Sequence, residues 1–127
     1  MKLKKQVPTD QELEILKVVW LRGQATVREV FRDLSAQRKI AYTTVLTMMG
    51  ILEQKGHLKK TAGERAYIYS PTKPQQQVVR SMVHEFVHRV FNGSARPLLV
   101  HLMEDPNIRA DELAEIEKLL KDRRKKS

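Results

Sequence analysis

The chain has 127 residues, no cysteine and a formal net charge of +9. This length accommodates one domain or two very small ones, and the lack of cysteine excludes a disulfide framework and a thiolate metal site. The basic N-terminus "MKLKKQVPTD" is not followed by an apolar segment, and no apolar run approaches the roughly 18 residues that span a membrane. We therefore expect a cytoplasmic protein that does not insert into membranes.

The positive charge is concentrated in the first part of the chain. Residues 1–73 contain 14 Lys and Arg against 7 Asp and Glu, whereas residues 74–127 contain 10 against 8. Such a basic domain is typical of nucleic-acid binding and, less often, of binding to an anionic membrane surface. The alternative is a solvated basic surface that has no polyanionic partner.

Two capping boxes begin the predicted helices of the first half. Thr9 with Glu12, and Thr26 with Glu29, have the spacing in which two side chains satisfy free backbone N–H groups reciprocally. The spacing of apolar residues predicts a first helix over about residues 10–21 and a short second helix after Thr26. Their expected inner faces carry Leu13, Ile15, Leu16, Val19, Trp20, Val27, Val30, Phe31 and Leu34.

A third helix and a basic β-hairpin follow. The helix is expected over about residues 42–55, with Val45, Met48, Met49 and Leu52 facing inward. In "HLKKTAGERAYIYSP" the period changes from helical to alternating, which predicts a hairpin whose loop lies at about 62–64. Three short helices followed by a basic hairpin form a winged helix-turn-helix, which we assign to residues 1–73.

The remainder, residues 74–127, is predicted to be helical. A long helix should run from Pro74 to about Phe91, and Ser94 is expected to cap a shorter helix that ends at Asp105-Pro106. A last helix is expected over about residues 110–123, followed by a frayed basic tail. The fold class is therefore mainly α with a small β-hairpin.

The C-terminal helices carry more apolar surface than a segment of this size can bury alone. The stripe on the long helix is wider than the seam needed for one neighbour, and small helical segments are marginally stable. In an isologous homodimer, two copies of the segment bury this apolar surface against each other. The alternative is that the segment folds back on the winged helix and forms one core with it. The predicted dimerisation residues are Val79, Met82, Val83, Phe86, Val87, Val90, Leu99, Leu102, Leu113, Ile116 and Leu120.

The third helix is expected to enter the major groove of double-stranded DNA, as the second helix of a helix-turn-helix does. Threonine methyl groups can contact thymine, and hydroxyls can bond to bases or phosphates; Thr43 or Thr44 should also cap the helix. Basic hairpin residues suit phosphate contacts or the minor groove. The predicted DNA-binding residues are Thr26, Arg28, Tyr42, Thr43, Thr44, Thr47, Lys59, Lys60 and Arg65.

The stretch "HEFVH" presents a competing interpretation. His84, Glu85 and His88 match the zinc-peptidase pattern H-E-x-x-H, but a zinc site needs a third ligand and an open position. Phe91 and Ser94 occupy the positions of the Gly and His in the longer form of the motif. A helical wheel directs both histidines away from the apolar stripe that would have to wall a cleft, so we expect no catalytic residue. Two surface histidines are the favoured interpretation, and the alternative is a regulatory metal bound by His84 and His88. We expect no metal site, no cofactor and no small-molecule ligand. A basic adaptor that binds RNA or an acidic protein is a further alternative.

Three segments resemble the penicillinase-repressor family of bacterial regulators, the BlaI/MecI/CopY type: "ELEILKVVWLRGQATVREVF", "AYTTVLTMMGILEQKG" and "ERAYIYSP". The resemblance covers nearly the whole chain. It implies a dimeric transcriptional repressor with an N-terminal winged helix on a palindromic operator and a C-terminal dimerisation region. It also implies a membrane sensor-protease as a partner that cleaves the repressor.

The chain departs from the family pattern in three places. The copper-responsive branch ends in a cysteine-rich box, which this chain lacks. Some members carry Arg or Lys near the start of the recognition helix, where this chain has Thr43 and Leu46. The β-lactam-responsive members are cut between Asn and Phe, and the matching dipeptide here is His101-Leu102, our candidate cleavage site.

Overall fold

Six helices and one antiparallel hairpin make up residues 7–126, the part of the chain that the structure, a computed structural model, describes. The winged helix-turn-helix and the mainly helical fold class predicted from the sequence are confirmed. The elements are α1 (Asp10–Arg22), α2 (Val27–Ser35), α3 (Tyr42–Gln54), β1 (Leu58–Ala62), β2 (Tyr67–Pro71), α4 (Gln75–Phe91), α5 (Ala95–Glu104) and α6 (Ala110–Lys126).

Both predicted capping boxes form. The Thr9 hydroxyl accepts from the Glu12 backbone N–H at 3.2 Å, and the Glu12 carboxylate accepts from the Thr9 N–H at 3.1 Å. The same pair of bonds joins Thr26 and Glu29, at 3.2 and 2.9 Å. Each box satisfies N–H groups that the first turn leaves without intrahelical partners, which fixes where α1 and α2 begin.

The predicted threonine cap of α3 is wrong. Ala41 is the N-cap residue, and Thr44 already lies within the helix, where its N–H donates to the Ala41 carbonyl at 3.1 Å. Within residues 7–126 no side chain caps this helix, and Ser94, which does occupy the N-cap position of α5, makes no capping hydrogen bond there either. The hydroxyls near the start of α3 are therefore not engaged in capping.

The hairpin loop lies slightly later than predicted. Ala62 pairs with Tyr67, so β1 extends through Ala62 and the loop comprises residues 63–66 instead of 62–64. Gly63 is packed so closely that an added Cβ would lie 2.5 Å from the Ala66 carbonyl oxygen. The tight turn therefore needs glycine at this position.

The core of the first helices and the hairpin is continuous. Ala25, in the connection between α1 and α2, exchanges two backbone hydrogen bonds with Tyr69, at 2.8 and 2.9 Å. This bridge attaches the hairpin to the helices as a third, very short strand. The largest fully buried side chains are Ile15, Leu16, Val19, Val30, Leu34, Val45, Met49, Leu52 and Leu58.

The chain divides into two compact units, the first ending at Glu85 and the second beginning at Phe86. We predicted a change at residues 73 and 74, but the start of α4 is compact with the first unit because Val78 is buried in its core and Met82 packs against that core. The assignment of residues 1–73 and 74–127 to separate functions stays a prediction.

The last helix is longer than predicted. α6 continues to Lys126, so the expected frayed tail after residue 123 is wrong for the described residues. Acidic residues in its first turn and four cations in its last turn both complement the helix dipole. Between residues 7 and 126, no helix is long and apolar enough to cross a membrane.

Candidate nucleic-acid interface

The exposed face of α3 is the centre of the candidate interface. Val45, Met49 and Leu52 are fully buried and fix the opposite face against the core. Because the helix repeats every 3.6 residues, Thr43 and Thr47 lie on the exposed side together with Leu46, which is 47% exposed. Thr44, also predicted to bind DNA, is half-buried on the flank of the helix.

A partly buried ion pair braces α3 against α1. The Lys55 ammonium, directly after α3, donates to the Glu12 carboxylate at 2.8 Å. Glu12 is buried at the start of α1 and also closes the first capping box. One carboxylate therefore sets both the beginning of α1 and its position relative to the C-terminal end of α3.

An arginine and two aromatic rings join α2 to the start of α3. The Tyr42 ring packs edge-on against Phe31, with centroids 5.5 Å apart, and the Arg28 guanidinium lies 5.6 Å from the centroid of the Tyr42 ring. A cation near an aromatic face is attracted by the ring quadrupole. This contact orients two of the predicted DNA-binding residues, Arg28 and Tyr42, beside each other at the N-terminal end of α3.

The hairpin carries the predicted cations of the wing. Lys59 and Lys60 lie on β1, and Arg65 lies in the loop. Lys60 is partly engaged within the protein, since its ammonium is 3.7 Å from the Glu53 carboxylate and 4.6 Å from the Tyr67 ring centroid. Within residues 7–126, neither Lys59 nor Arg65 forms an ion pair, so these two side chains have the more available charges.

Thr26 caps α2. Its hydroxyl accepts a hydrogen bond from the Glu29 backbone N–H, and the residue is half-buried. The DNA-binding role predicted for it stays a prediction, as do the roles of the other predicted contacts.

The junction of α1 and α2 is held by a forked ion pair. The Arg22 guanidinium donates to both oxygens of Asp33, at 2.8 and 2.9 Å, and lies 3.4 Å from the Glu29 carboxylate. The hydrogen bond from Arg22 lowers the pKa of Asp33 below 3.8, and the same bond raises the pKa of Arg22. This geometry fixes α2, which precedes the exposed helix α3.

Most of the predicted dimerisation residues are exposed in the single chain, whereas Met82, Val87 and Leu113 are half-buried. Val83 and Leu120 each expose 51% of their surface. Further exposed apolar side chains on the same three helices were not predicted: Val100, Met103 and Leu119.

The two histidines of "HEFVH" are exposed, in agreement with their predicted direction on the helical wheel. Within the described range 7–126, no group of three or more His, Asp or Glu side chains is arranged to hold a metal ion. The candidate cleavage dipeptide, His101-Leu102, is exposed but lies inside α5.

The sequence prediction left two exposed apolar residues out of the interface. Leu46 lies among the predicted threonines of α3, and the Tyr67 ring lies beside Lys60 on the hairpin. A helical wheel centred on Val45, Met49 and Leu52 would have placed Leu46 outside the core. The exposure of Tyr67 depends on the strand register, which alternation alone did not determine.

Comparison with known proteins gives a consistent result. The family model described as penicillinase repressor matches residues 8–122. A penicillinase repressor of Bacillus licheniformis is 27% identical over 120 residues, which cover 93% of this chain and 94% of that protein. The transcriptional regulator BlaI of Mycobacterium tuberculosis is 34% identical over 105 residues, covering 81% of this chain and 75% of that protein. The solution structure of the DNA-binding domain of the repressor BlaI aligns with a TM-score of 0.50 and 31% identity, covering 54% of this chain and 83% of that one.

Proposed function

Because the chain belongs to the penicillinase repressor family, we propose that it is a sequence-specific DNA-binding transcriptional repressor that acts as a homodimer on a palindromic operator. The observation that carries this proposal is the exposed face of α3 beside a hairpin with available cations. In this arrangement α3 enters the major groove and the hairpin contacts the flanking backbone. The bound dimer represses transcription by excluding RNA polymerase.

Phosphate contacts supply much of the affinity. If each protomer places Arg28, Lys59 and Arg65 on phosphates, a dimer neutralises about six phosphates. Counterion release then gives a slope of about −5 for the logarithm of the binding constant against the logarithm of the salt concentration. The slope therefore reports the number of engaged cations.

The dimer is supported by the apolar surface of α4, α5 and α6. Large side chains such as Val83, Val90 and Leu120 are about half exposed in the single chain, and exposed patches of this kind are typical of interaction surfaces. A second copy covers them in an isologous interface, which also spaces two recognition helices for the two halves of a palindrome.

Relief of repression by proteolysis at or near His101-Leu102 is part of the proposal. The dipeptide lies in a helix, where the Leu102 carbonyl accepts from the Asp105 N–H at 3.3 Å. The sensor-protease must therefore open the last turn of α5 before it cuts. Cleavage separates Ile116 and Leu120 from the DNA-binding part of the chain, and we expect a chain that ends at His101 to be monomeric in light scattering.

The experiment that tests the DNA-binding function is selection from a pool of random DNA duplexes, followed by binding of the selected duplex at about 50 to 200 mM salt. A repressor yields a palindromic consensus and an affinity that falls steeply with salt. A pool without any consensus, or an affinity that does not depend on salt, contradicts the proposal. A pool without any consensus is the result expected of a basic adaptor protein.

A further inference from the structure

The exposed face of α3 has an unusual chemistry for a DNA-reading helix. The sequence of α3, "YTTVLTMMGILEQ", contains one charged residue, Glu53, and that carboxylate lies 3.7 Å from the Lys60 ammonium. Arg, Lys and Asn, which commonly recognise guanine or adenine through paired hydrogen bonds, do not occur in α3, and Gln54 is its last residue. Hydrogen-bond readout from the middle of this helix is therefore limited to hydroxyl groups.

Leu46 lies on that face, toward the edge that adjoins the buried side of the helix. It is 47% exposed and is neither a member of the buried core nor one of the half-buried side chains packed against the core. Its neighbour one turn later is Gly50, where an added Cβ would meet nothing within 4 Å. The surface beside Leu46 is thus open enough for another molecule to approach the helix backbone.

The major groove offers one apolar group at the base edges, the C5-methyl group of thymine. A leucine side chain can neither donate nor accept a hydrogen bond, so a methyl group is the feature of a base edge that it can distinguish. Exposed cations on the elements that contact α3, Arg28 on α2 and Lys59 and Arg65 on the hairpin, attract a polyanion to this part of the molecule. The combination favours DNA over an apolar protein segment as the occupant.

We propose that Leu46 is a specificity-determining residue that recognises a thymine C5-methyl group in each half-site, and that Gly50 provides the space for this close approach. The inference rests on the proposed function, since it requires α3 to lie in the major groove. Burying one methyl group contributes about a fourfold change in affinity. A dimer that makes the contact twice should therefore show about a 15-fold effect.

The experiment uses the full chain and the duplex selected from random DNA. Each thymine of the half-site is replaced in turn by deoxyuridine, which removes the methyl group and keeps every hydrogen-bonding group. The expected result is one position at which symmetric replacement weakens binding about 15-fold. In the Leu46→Ala protein, the same replacement should have little effect, because the methyl group has lost its apolar partner.

Two controls separate this role from a structural one. Leu46→Ala should have the same unfolding temperature as the original protein, since the Leu46 side chain is outside the core. Thr61→Ala changes an exposed position of β1 and should leave the deoxyuridine effect intact. An equal deoxyuridine effect in the Leu46→Ala and original proteins overturns the inference, as does a half-site without any sensitive thymine. If selection returns no consensus, the proposed function itself fails, and the inference fails with it.

Discussion

At the scale of single residues, Glu12 links two parts of the DNA-binding unit. Its carboxylate accepts from the Thr9 N–H and from the Lys55 ammonium, and only 5% of the residue is exposed. A buried carboxylate that loses a partner keeps the cost of its removal from water. The pair is therefore sensitive to substitution on either side.

Lys55→Ala should lower the free energy of unfolding by roughly 2 kcal/mol, because the Glu12 carboxylate would remain buried with one hydrogen bond fewer. Urea denaturation measures the change. Lys17→Ala is the matched control, since Lys17 is an exposed lysine on α1 and its replacement should change stability by less than about 0.5 kcal/mol. Equal losses from the two substitutions would show that the ion pair is not stabilising.

Arg65→Ala should weaken binding to every duplex alike, because a phosphate contact carries no sequence information. A dimer loses two such contacts, so the salt slope should become less steep by about 2. Fluorescence anisotropy at several salt concentrations measures both quantities. Thr47→Ala should instead change which bases are preferred in the duplex. An unchanged salt slope for Arg65→Ala would show that Arg65 does not contact the DNA phosphates.

At the scale of elements, an ion pair at the surface joins the end of α1 to α2. Arg22 donates to both oxygens of Asp33, and planar, bidentate geometry makes this pair more specific than a single contact. The side chains are each about one-third exposed, so solvent screens the attraction. We therefore expect this pair to contribute little to the free energy of unfolding at neutral pH, while its geometry orients α2 against α1.

The pH dependence of this junction follows from the lowered pKa of Asp33. A carboxylate with a lowered pKa in the folded state contributes stability above its unfolded value, 3.8, and the contribution is lost as the pH falls through the folded pKa. Asp33→Asn should therefore be less stable than the original protein at neutral pH, and the difference should shrink below pH 3.8. Urea denaturation at neutral pH and below pH 3.8 measures the stability of both proteins. A stability difference that stays constant with pH would show that the charge of Asp33 does not stabilise the fold.

At the scale of the whole molecule, the distribution of apolar surface separates two kinds of helix. The helices of the first unit bury their apolar faces around Val19, Val30 and Val45, whereas α5 and α6 have no buried residue in the described range. Helices without a buried face gain little from packing within one chain. This difference supports a second copy of the chain as the partner of α4, α5 and α6.

Val83→Asp or Leu120→Asp should convert the dimer into a monomer, because each introduces a charge into the proposed interface. Light scattering at micromolar concentration gives the oligomeric state, and operator affinity should fall in parallel. Leu21→Asp is the control, since Leu21 is 88% exposed in α1 and lies outside the proposed surface. This interface would be ruled out if the original protein were monomeric. It would also be ruled out if Leu21→Asp produced monomers.

The sequence by itself determined the elements and the class of fold. Capping boxes at Thr9 and Thr26 fixed two helix starts, since they depend on side chains three residues apart. Apolar periodicity identified the inner face of α3, and the change of period identified the hairpin. The predicted DNA-binding and dimerisation residues followed from these local patterns together with the family resemblance.

Only the tertiary structure decided features that depend on residues far apart in the chain. The Ala25–Tyr69 bridge, the Glu12–Lys55 pair and the hairpin register each join separate segments. The burial of Val78 placed the start of α4 with the first unit. Local hydrogen bonds and periodicity can be read along a chain, but burial depends on which distant surfaces meet, because packing is a property of the folded molecule.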